Sequence, residues 1–211
     1  EGVRQGMRDW GPSRSEPYWT PIAWGDVEPR LPFVTYRDGL TVWIDDLRCE
    51  VLHVGGPAHT RNDSVVWIPE RKVLFAGDLV FNGGTPFVVQ GSVAGSIQVL
   101  EEVVAPLGAE TIVPGHGPIA GPDLVEEVLG YLRFVMQLAR AGREAGLSPL
   151  EVAYDTDLGG YRDLTDSERL VGNLHRAYAE LDGVAPGEPI DMAMAFQDMI
   201  KYNGGDLLHS H

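Results

Sequence analysis

Three short apolar segments of this chain each run into a glycine turn that carries a side chain able to bind a metal ion. They lie at residues 51–60, 73–78 and 111–117. Short apolar runs closed by Gly or Pro are typical of buried strands, and strand ends are where α/β folds place ligands and catalytic groups. The pattern therefore predicts a sheet edge at which His59, Asp78 and His116 meet.

These three side chains form a donor set suited to zinc, because two imidazoles and one carboxylate are ligands that this ion commonly takes. The glycine beside each of them lets the backbone approach a bound ion closely. Each residue taken singly has an ordinary alternative. A histidine after a strand is usually a plain loop residue, an aspartate after glycine usually caps a turn, and Pro-Gly-His-Gly is also a tight turn. The shared context favours the metal site.

The rest of the chain predicts strands first and helices later. Strands are predicted at residues 41–44, 48–54, 64–68, 72–76 and 111–113. Helices are predicted at residues 92–107, 122–145, from a capping box at 148–151, from a second capping box at 165–168 to 182, and at 190–202. This order predicts an α/β or α+β fold in which helices cover sheets in layers.

Composition excludes several classes of function. The formal net charge is −15, which leaves no electrostatic footprint for nucleic acid or for an anionic membrane surface. One cysteine excludes an internal disulfide, and no apolar run approaches the ~18 residues of a membrane span. We therefore expect a cytoplasmic protein with a small-molecule substrate.

Residues 1–33 are rich in aromatic residues and proline, with no helical or strand period. Long irregular segments of compact domains are usually functional. We therefore predict an aromatic lid loop in which Trp10, Trp19 and Trp24 bind substrate. The alternative is that these aromatic side chains only close one edge of the core.

Three motifs in order carry a family resemblance: His-Thr at 59–60 followed by Asp63, Phe-Ala-Gly-Asp at 75–78, and Val-Pro-Gly-His-Gly at 113–117. They resemble the metallo-β-lactamase-fold superfamily over residues 34–145. The resemblance implies an αββα sandwich with a metal site at one edge and two zinc ions in the complete protein.

The resemblance also implies roles for individual residues. His59 corresponds to the third histidine of the first metal site, Asp78 to the bridging carboxylate of the catalytic centre, and His116 to the histidine of the second site. It adds a substrate loop over residues 81–87, with Phe81, Asn82 and Phe87 as substrate-binding residues. Asp63 either supports the site through hydrogen bonds or only shapes a turn.

The sequence departs from the family at its most diagnostic motif, His-x-His-x-Asp-His, which is absent from this chain. We expect the chain to be the C-terminal portion of such a protein, with the first sheet absent. Residues 1–145 would form the rest of the metallo-β-lactamase-like domain and residues 146–211 a helical appendage. A sandwich buries its sheets against each other, so we expect an N-terminal fragment of the same protein as partner. A homodimer is the alternative assembly.

The helical region narrows the resemblance. Residues 131–135, 168–178 and 195–205 resemble an actinobacterial group that includes cyclases of aromatic (type II) polyketide antibiotic biosynthesis. That implies a metal-assisted intramolecular aldol condensation and dehydration on a free or carrier-bound polyketide, with thioester hydrolysis as a related activity. One alternative is a generic metallo-hydrolase of a thioester or ester. Another is a non-catalytic fragment or half-site subunit. His209 and His211 are either extra ligands or part of a disordered terminus.

Overall fold

Five strands form one mixed sheet in the described part of the chain, which comprises residues 18–19, 30 and 32–209 of a computed structural model. The strands follow one another across the sheet in chain order. They are β1 (Gly39–Ile44), β2 (Leu47–His53), β3 (Ser64–Ile68), β4 (Val73–Phe81) and β5 (Thr111–His116). The first four are antiparallel, whereas β4 and β5 run parallel. The predicted mixed fold with its strands in this region is confirmed.

Five α-helices complete the described fold. They are α1 (Val93–Val99), α2 (Asp123–Ala145), α3 (Pro149–Asp155), α4 (Arg169–Leu181) and α5 (Met192–Tyr202). The predicted capping box of α3 is confirmed, because the Ser148 side chain accepts from the Glu151 amide while the Glu151 carboxylate accepts from the Ser148 amide. The predicted helix at 92–107 is only partly α-helical. A π-helical turn (Leu100–Val104) and a 3-10 turn (Ala105–Leu107) continue α1.

The second predicted capping box is wrong. Helix α4 begins at Arg169, and its N-cap residue Glu168 makes no side-chain cap. Thr165 instead pairs with a distant loop, because its amide donates to the Gly83 carbonyl and its carbonyl accepts from the Thr85 amide. These tertiary hydrogen bonds remove Thr165 from the helix that its sequence context favours.

Strand β4 also differs from its prediction. The sequence predicted that Gly77 ends the strand, but β4 continues to Phe81. Gly77 has a φ of +56°, and the register with β5 shifts on both sides of it. The glycine therefore forms a bulge rather than a stop, and Asp78 lies within the strand.

The two faces of the sheet differ in their burial. On one face Val65, Leu74 and Ile112 are fully buried in the core beneath the helices. On the other face a row of apolar residues crosses all five strands in register, Leu40, Val51, Val66, Phe75 and Val113. Every member of that row remains accessible to solvent, and Phe75 is 43% exposed. One side of the sheet thus carries the core and the other presents an open apolar surface.

The helices from 146 onward share the hydrophobic core with the sheet. Val152, Leu174 and Met199 belong to the same buried cluster as Leu74 and Ile112. The boundary between the two predicted segments at 145 and 146 stays a prediction. Within the described ranges, every helix is too short or too polar to cross a membrane.

A half-buried histidine joins α4 to α5. The Nε2 atom of His175 lies 3.0 Å from Asp198 Oδ2, and the two side chains are 11% and 13% exposed. Burial lowers the pKa of His175, and the neighbouring Asp198 offsets that shift only in part. The folded protein therefore resists protonating a group that the unfolded chain protonates freely.

We expect the free energy of unfolding to decrease as the pH falls below 6.5, the ordinary pKa of histidine. The unfolded state binds the extra proton there, so the stability that His175 contributes is present above that pH and is lost below it. Urea unfolding of the wild type and of His175→Gln between pH 7.5 and 5 measures this, with His53→Gln as the matched histidine control. The free energy of unfolding should fall more steeply with decreasing pH in the wild type and in His53→Gln than in His175→Gln. Equal slopes for all three proteins would contradict the assignment.

Candidate metal centre

The parallel pairing of β4 with β5 brings two of the predicted ligands to one edge of the sheet. Asp78 lies in β4, and His116 is the last residue of β5, opposite Phe81. His59 reaches the same edge from the loop between β2 and β3. Three sequence-distant side chains therefore meet where the pattern of strand ends predicted.

The carboxylate of Asp78 lies between the two imidazoles. His59 Nε2 is 3.3 Å from Asp78 Oδ2, and His116 Nε2 is 3.7 Å from Asp78 Oδ1. Both separations exceed the 2.7–3.2 Å typical of a protein N–H···O hydrogen bond. Each imidazole thus faces a different oxygen of one carboxylate, across a gap wider than a direct hydrogen bond.

The orientation of each histidine is set by a phenylalanine. His59 Nδ1 lies 2.6 Å from the Phe87 carbonyl oxygen. A carbonyl only accepts, so Nδ1 carries a proton and donates it to Phe87, and Nε2 faces Asp78. The His116 ring stacks on Phe81, with centroids 4.8 Å apart and planes 5° from parallel. Both imidazoles therefore present Nε2 to the carboxylate.

Two glycines make room for this arrangement. A Cβ atom on Gly115 would lie 2.0 Å from Asp78 Oδ1. A Cβ atom on Gly117 would lie 1.8 Å from the Asn82 carbonyl oxygen, and Gly117 also has a φ of +87°. The glycines that flank His116 are thus required by close approach to the carboxylate and to the loop after it.

The donor set fits zinc as two half-sites. Two ligands of a tetrahedral zinc ion, each about 2.0–2.1 Å from it, lie about 3.3–3.4 Å apart, which is close to the His59–Asp78 separation. Among residues 18–19, 30 and 32–209, however, no group of three or more His, Cys, Asp or Glu side chains could hold a metal ion by itself. Both findings are satisfied when His59 and Asp78 Oδ2 are ligands of one ion, and His116 and Asp78 Oδ1 are ligands of a second ion.

Asp63 shapes the turn that carries His59. Its carboxylate accepts from the Thr60 amide at 2.9 and 3.1 Å and from the Thr60 hydroxyl at 2.7 Å. Its carbonyl accepts from the Val54 amide. Asp63 therefore acts on the residue next to His59, through the backbone, rather than on the imidazole itself.

The structure describes some of the predicted substrate-binding residues and leaves others outside its described ranges. Trp10 and Trp24 lie outside the described residues, as does most of the predicted lid. Trp19 packs edge-on against Phe196 of α5, with centroids 6.0 Å apart. Asn82 donates its side-chain amide to the Pro118 carbonyl, which holds the two loops of the site together. Of the terminal histidines, His209 is exposed and His211 lies outside the described residues.

A cavity of about 380 Å³ adjoins the site, and Phe81 belongs to both. Its walls come from the loop after β4, from α2 and from the 3-10 turn Gly159–Tyr161. They are formed by Phe81, Gly83, Gly84, Pro86, Glu126, Glu127, Val128, Gly130, Tyr131, Gly160, Tyr161 and Leu164. Glu126 and Glu127 are exposed and place two carboxylates at the rim of the cavity, of which Glu126 lies 3.6 Å from the Arg133 guanidinium. Burial strongly raises the pKa of Tyr131, so its phenol stays neutral.

Sequence reasoning missed the walls of this cavity and a set of buried polar residues on α4. Arg169, Asn173 and Arg176 are 5%, 0% and 1% exposed. Their spacing of four and three residues was visible as one face of a helix. A polar helix face of this kind predicts exposure rather than burial, because charged residues are seldom fully buried.

Comparison with known proteins adds the family. Residues 6–116 match the family described as "Metallo-beta-lactamase superfamily". The chain is 32% identical over 100 residues to "Metallo-beta-lactamase type 2" of Bacteroides fragilis, which covers 46% of this chain and 40% of that protein. It is 29% identical over 94 residues to human "Acyl-coenzyme A thioesterase MBLAC2", covering 43% of this chain and 33% of that protein. The match thus spans well under half the length of these relatives.

Among solved structures, a metallo-beta-lactamase from Pontibacter korlensis aligns with a TM-score of 0.44 and 26% identity, covering 48% of this chain and 49% of that one. The family match covers more than half of the 211 residues and includes all three residues of the candidate centre. The chain therefore belongs to the metallo-beta-lactamase superfamily.

Proposed function

We propose that this chain supplies half of a two-zinc hydrolytic centre, with His59 and Asp78 as ligands of one ion and Asp78 and His116 as ligands of the other. The observation that carries the proposal is the carboxylate whose two oxygens each face a different imidazole nitrogen. Zinc ions at such a centre polarise a carbonyl and make water a nucleophile near neutral pH. The remaining ligands come from a segment other than the described residues.

The residues of this chain then have distinct tasks. Asp78 would hold both ions and offset their charge, while the Phe87 carbonyl accepts from His59 Nδ1 and so leaves Nε2 directed at the centre. Phe81 holds His116 by stacking and forms the wall between the centre and the cavity. The cavity receives the apolar part of a substrate whose carbonyl lies over the centre.

The substrate class that fits best is a thioester or ester with a neutral, apolar acyl group. Relatives named as acyl-coenzyme A thioesterases support a thioester. The aromatic walls support an apolar group, and the Glu126 and Glu127 carboxylates disfavour an anionic one inside the cavity. A charged leaving group would lie outside this rim.

A second candidate is the cyclase of aromatic polyketide formation, favoured by the rings of Phe81, Tyr131 and Tyr161 around the cavity. In that reaction an enolate carbon attacks a second carbonyl of the same chain, a carbon–carbon bond forms, and water is lost afterwards. Turnover separates the candidates. A hydrolase cleaves a simple aryl thioester, whereas a cyclase leaves it intact and converts a poly-β-ketone mimic.

The open apolar sheet face supports a partner segment of the same protein. An in-register row from Leu40 to Val113 needs an apolar cover, and the half-sites need further metal ligands. One segment that brings a second sheet and those ligands satisfies both needs. Denaturing mass spectrometry of the active, purified protein should reveal a second polypeptide or a longer chain. Zinc-dependent activity from this chain alone as a monomer would overturn the partner proposal.

Replacing Asp78 by Asn should weaken Zn²⁺ binding by on the order of 100-fold or more. Loss of a residue that merely supports a ligand costs about 10–100-fold in metal affinity, and Asp78 would be lost from both half-sites. Because the side chain is 38% exposed, the thermal midpoint without metal should barely change. Isothermal titration with Zn²⁺ and circular dichroism measure the two effects, with exposed Asp123→Asn as the matched control. Wild-type affinity in Asp78→Asn would contradict the ligand assignment.

Replacing Gly115 by Ala should impair Zn²⁺ binding although every donor atom remains. The new methyl group would lie 2.0 Å from Asp78 Oδ1 and 2.7 Å from the Asp78 amide nitrogen, so the carboxylate must move. Gly121→Ala, where nothing lies within 4 Å of the new Cβ, is the control for adding a methyl group near the same turn. Equal Zn²⁺ affinities for the two variants would mean that the position of this carboxylate does not matter.

The cavity should bind neutral aromatic molecules and reject anionic ones. We expect 2-naphthol to shift the NMR signals of Val128, and 2-naphthoate to bind at least about fivefold more weakly. One like charge at about 4 Å in water contributes ~1 kcal/mol. Glu127→Gln should reduce the difference in affinity between 2-naphthol and 2-naphthoate. Gly130→Leu should abolish binding of both probes, because Gly130 lines the cavity and a leucine side chain there would fill it. Exposed Arg140→Leu on the same helix is the control. Preferential binding of 2-naphthoate would refute the proposed substrate class.

A further inference from the structure

Helix α4 directs three buried polar side chains at the loop that follows β4. Arg169, Asn173 and Arg176 share one face of the helix. Within the described residues, the hydrogen bonds of Arg169 and Arg176 all end on backbone carbonyls, apart from the ion pair of Arg169 with Asp166. Their contacts therefore fix a stretch of backbone.

The stretch that they fix runs from Thr85 to Val89. Arg169 donates to the Thr85 carbonyl at 3.2 Å. Asn173 donates to the Pro86 carbonyl at 2.7 Å and accepts from the Val88 amide at 2.9 Å. Arg176 donates twice to the Val89 carbonyl, at 3.0 and 2.8 Å. Four of these five consecutive loop residues thus have a backbone group bound by α4.

The fifth residue is Phe87, whose carbonyl accepts from His59 Nδ1. Its ring is held by α4 as well. A Cβ atom on Gly172 would lie 2.9 Å from Phe87 Cε2, and the Arg169 guanidinium lies 5.7 Å from the ring centroid. Helix α4 therefore holds Phe87, which orients His59, through the backbone on either side of it and through its ring.

The same helix reaches the second imidazole. The Arg169 guanidinium lies 5.8 Å from the centroid of Phe81, the ring that stacks on His116. Guanidinium groups at this distance from an aromatic face attract it. One buried arginine is therefore in contact with both phenylalanines that orient the two histidines.

A purely structural role accounts poorly for this choice of residues. Burying a cation costs free energy that apolar packing would avoid, and Arg169 Nε is buried with no hydrogen-bond partner among the described residues. Arg176 is 1% exposed and bonds only carbonyls in the described chain. What these polar groups provide, and apolar groups cannot, is a fixed position for individual carbonyl oxygens.

We infer that Arg169, Asn173 and Arg176 are positioning residues that hold the Phe87 carbonyl in place and thereby fix the tautomer and direction of His59. The inference rests on the proposed function for its catalytic meaning, since a ligand needs its Nε2 lone pair free. The effect on the tautomer of His59 is expected in the metal-free chain as well, so it does not depend on metal binding.

Long-range ¹H–¹⁵N correlation spectra of the metal-free chain at pH 8.5 test the inference directly. The wild type should show His59 with its proton on Nδ1. Asn173→Ala should shift more than half of the population to the Nε2–H form, because the released carbonyl no longer selects Nδ1. Tyr178→Phe is the matched control, since it removes a buried hydrogen bond of the same helix, to the Leu147 carbonyl, away from the loop. A wild-type His59 in the Nε2–H form, or an unchanged tautomer in Asn173→Ala, would overturn the inference.

Gly172→Ala keeps the test available if Asn173→Ala fails to fold. It retains all three polar side chains but displaces the Phe87 ring, so it should also populate the Nε2–H form of His59.

Zn²⁺ titration separates this inference from the proposed function. If both hold, Asn173→Ala binds Zn²⁺ about 10–100-fold more weakly than Tyr178→Phe. If the tautomer responds but the wild type binds no Zn²⁺, the positioning role stands and the proposed function fails.

Discussion

The parallel pairing of β4 with β5 is the constraint on which the rest of the structure depends. Parallel neighbours place their carboxyl ends at the same edge, which brings Asp78 beside His116. They also require a long crossover, here residues 82–110 with α1 inside it. The first part of that crossover is the loop that carries Phe87. The pairing therefore produces both the meeting of the ligands and the segment that orients His59.

A crossover of this kind must be held down, and α4 does this with polar groups. A loop buried under helices carries backbone amides and carbonyls that water cannot reach, and each needs a partner. Asn173 and Arg176 supply such partners, since none of the described strands pairs with residues 85–89. These contacts meet hydrogen-bonding needs of the crossover at the cost of burying charge, and the orientation of His59 follows from the same contacts.

The features that the sequence predicted well are local ones. The five strands, the Ser148 capping box and the convergence of His59, Asp78 and His116 depend on short runs, turn residues and the rule that strand ends share an edge. The failures are tertiary. Thr165 looks like a helix cap but pairs with the loop after β4, and Gly77 looks like a stop but forms a bulge. An amphipathic pattern cannot reveal that Arg169 and Arg176 face inward, because the partner that makes their burial tolerable lies more than 80 residues away.

The candidate ligands and most of the cavity wall come from separate parts of the molecule, although Phe81 belongs to both. The candidate ligands belong to β4, to β5 and to the loop between β2 and β3, whereas Glu127 and Tyr161 of the cavity belong to helix α2 and to a helical turn. A change at Tyr161 would reshape the space offered to a substrate without moving a ligand-bearing strand. Such a division allows the residues that perform the reaction to stay unchanged while the residues that select the substrate vary. The helical half of this chain is therefore the part in which natural variation in specificity should accumulate.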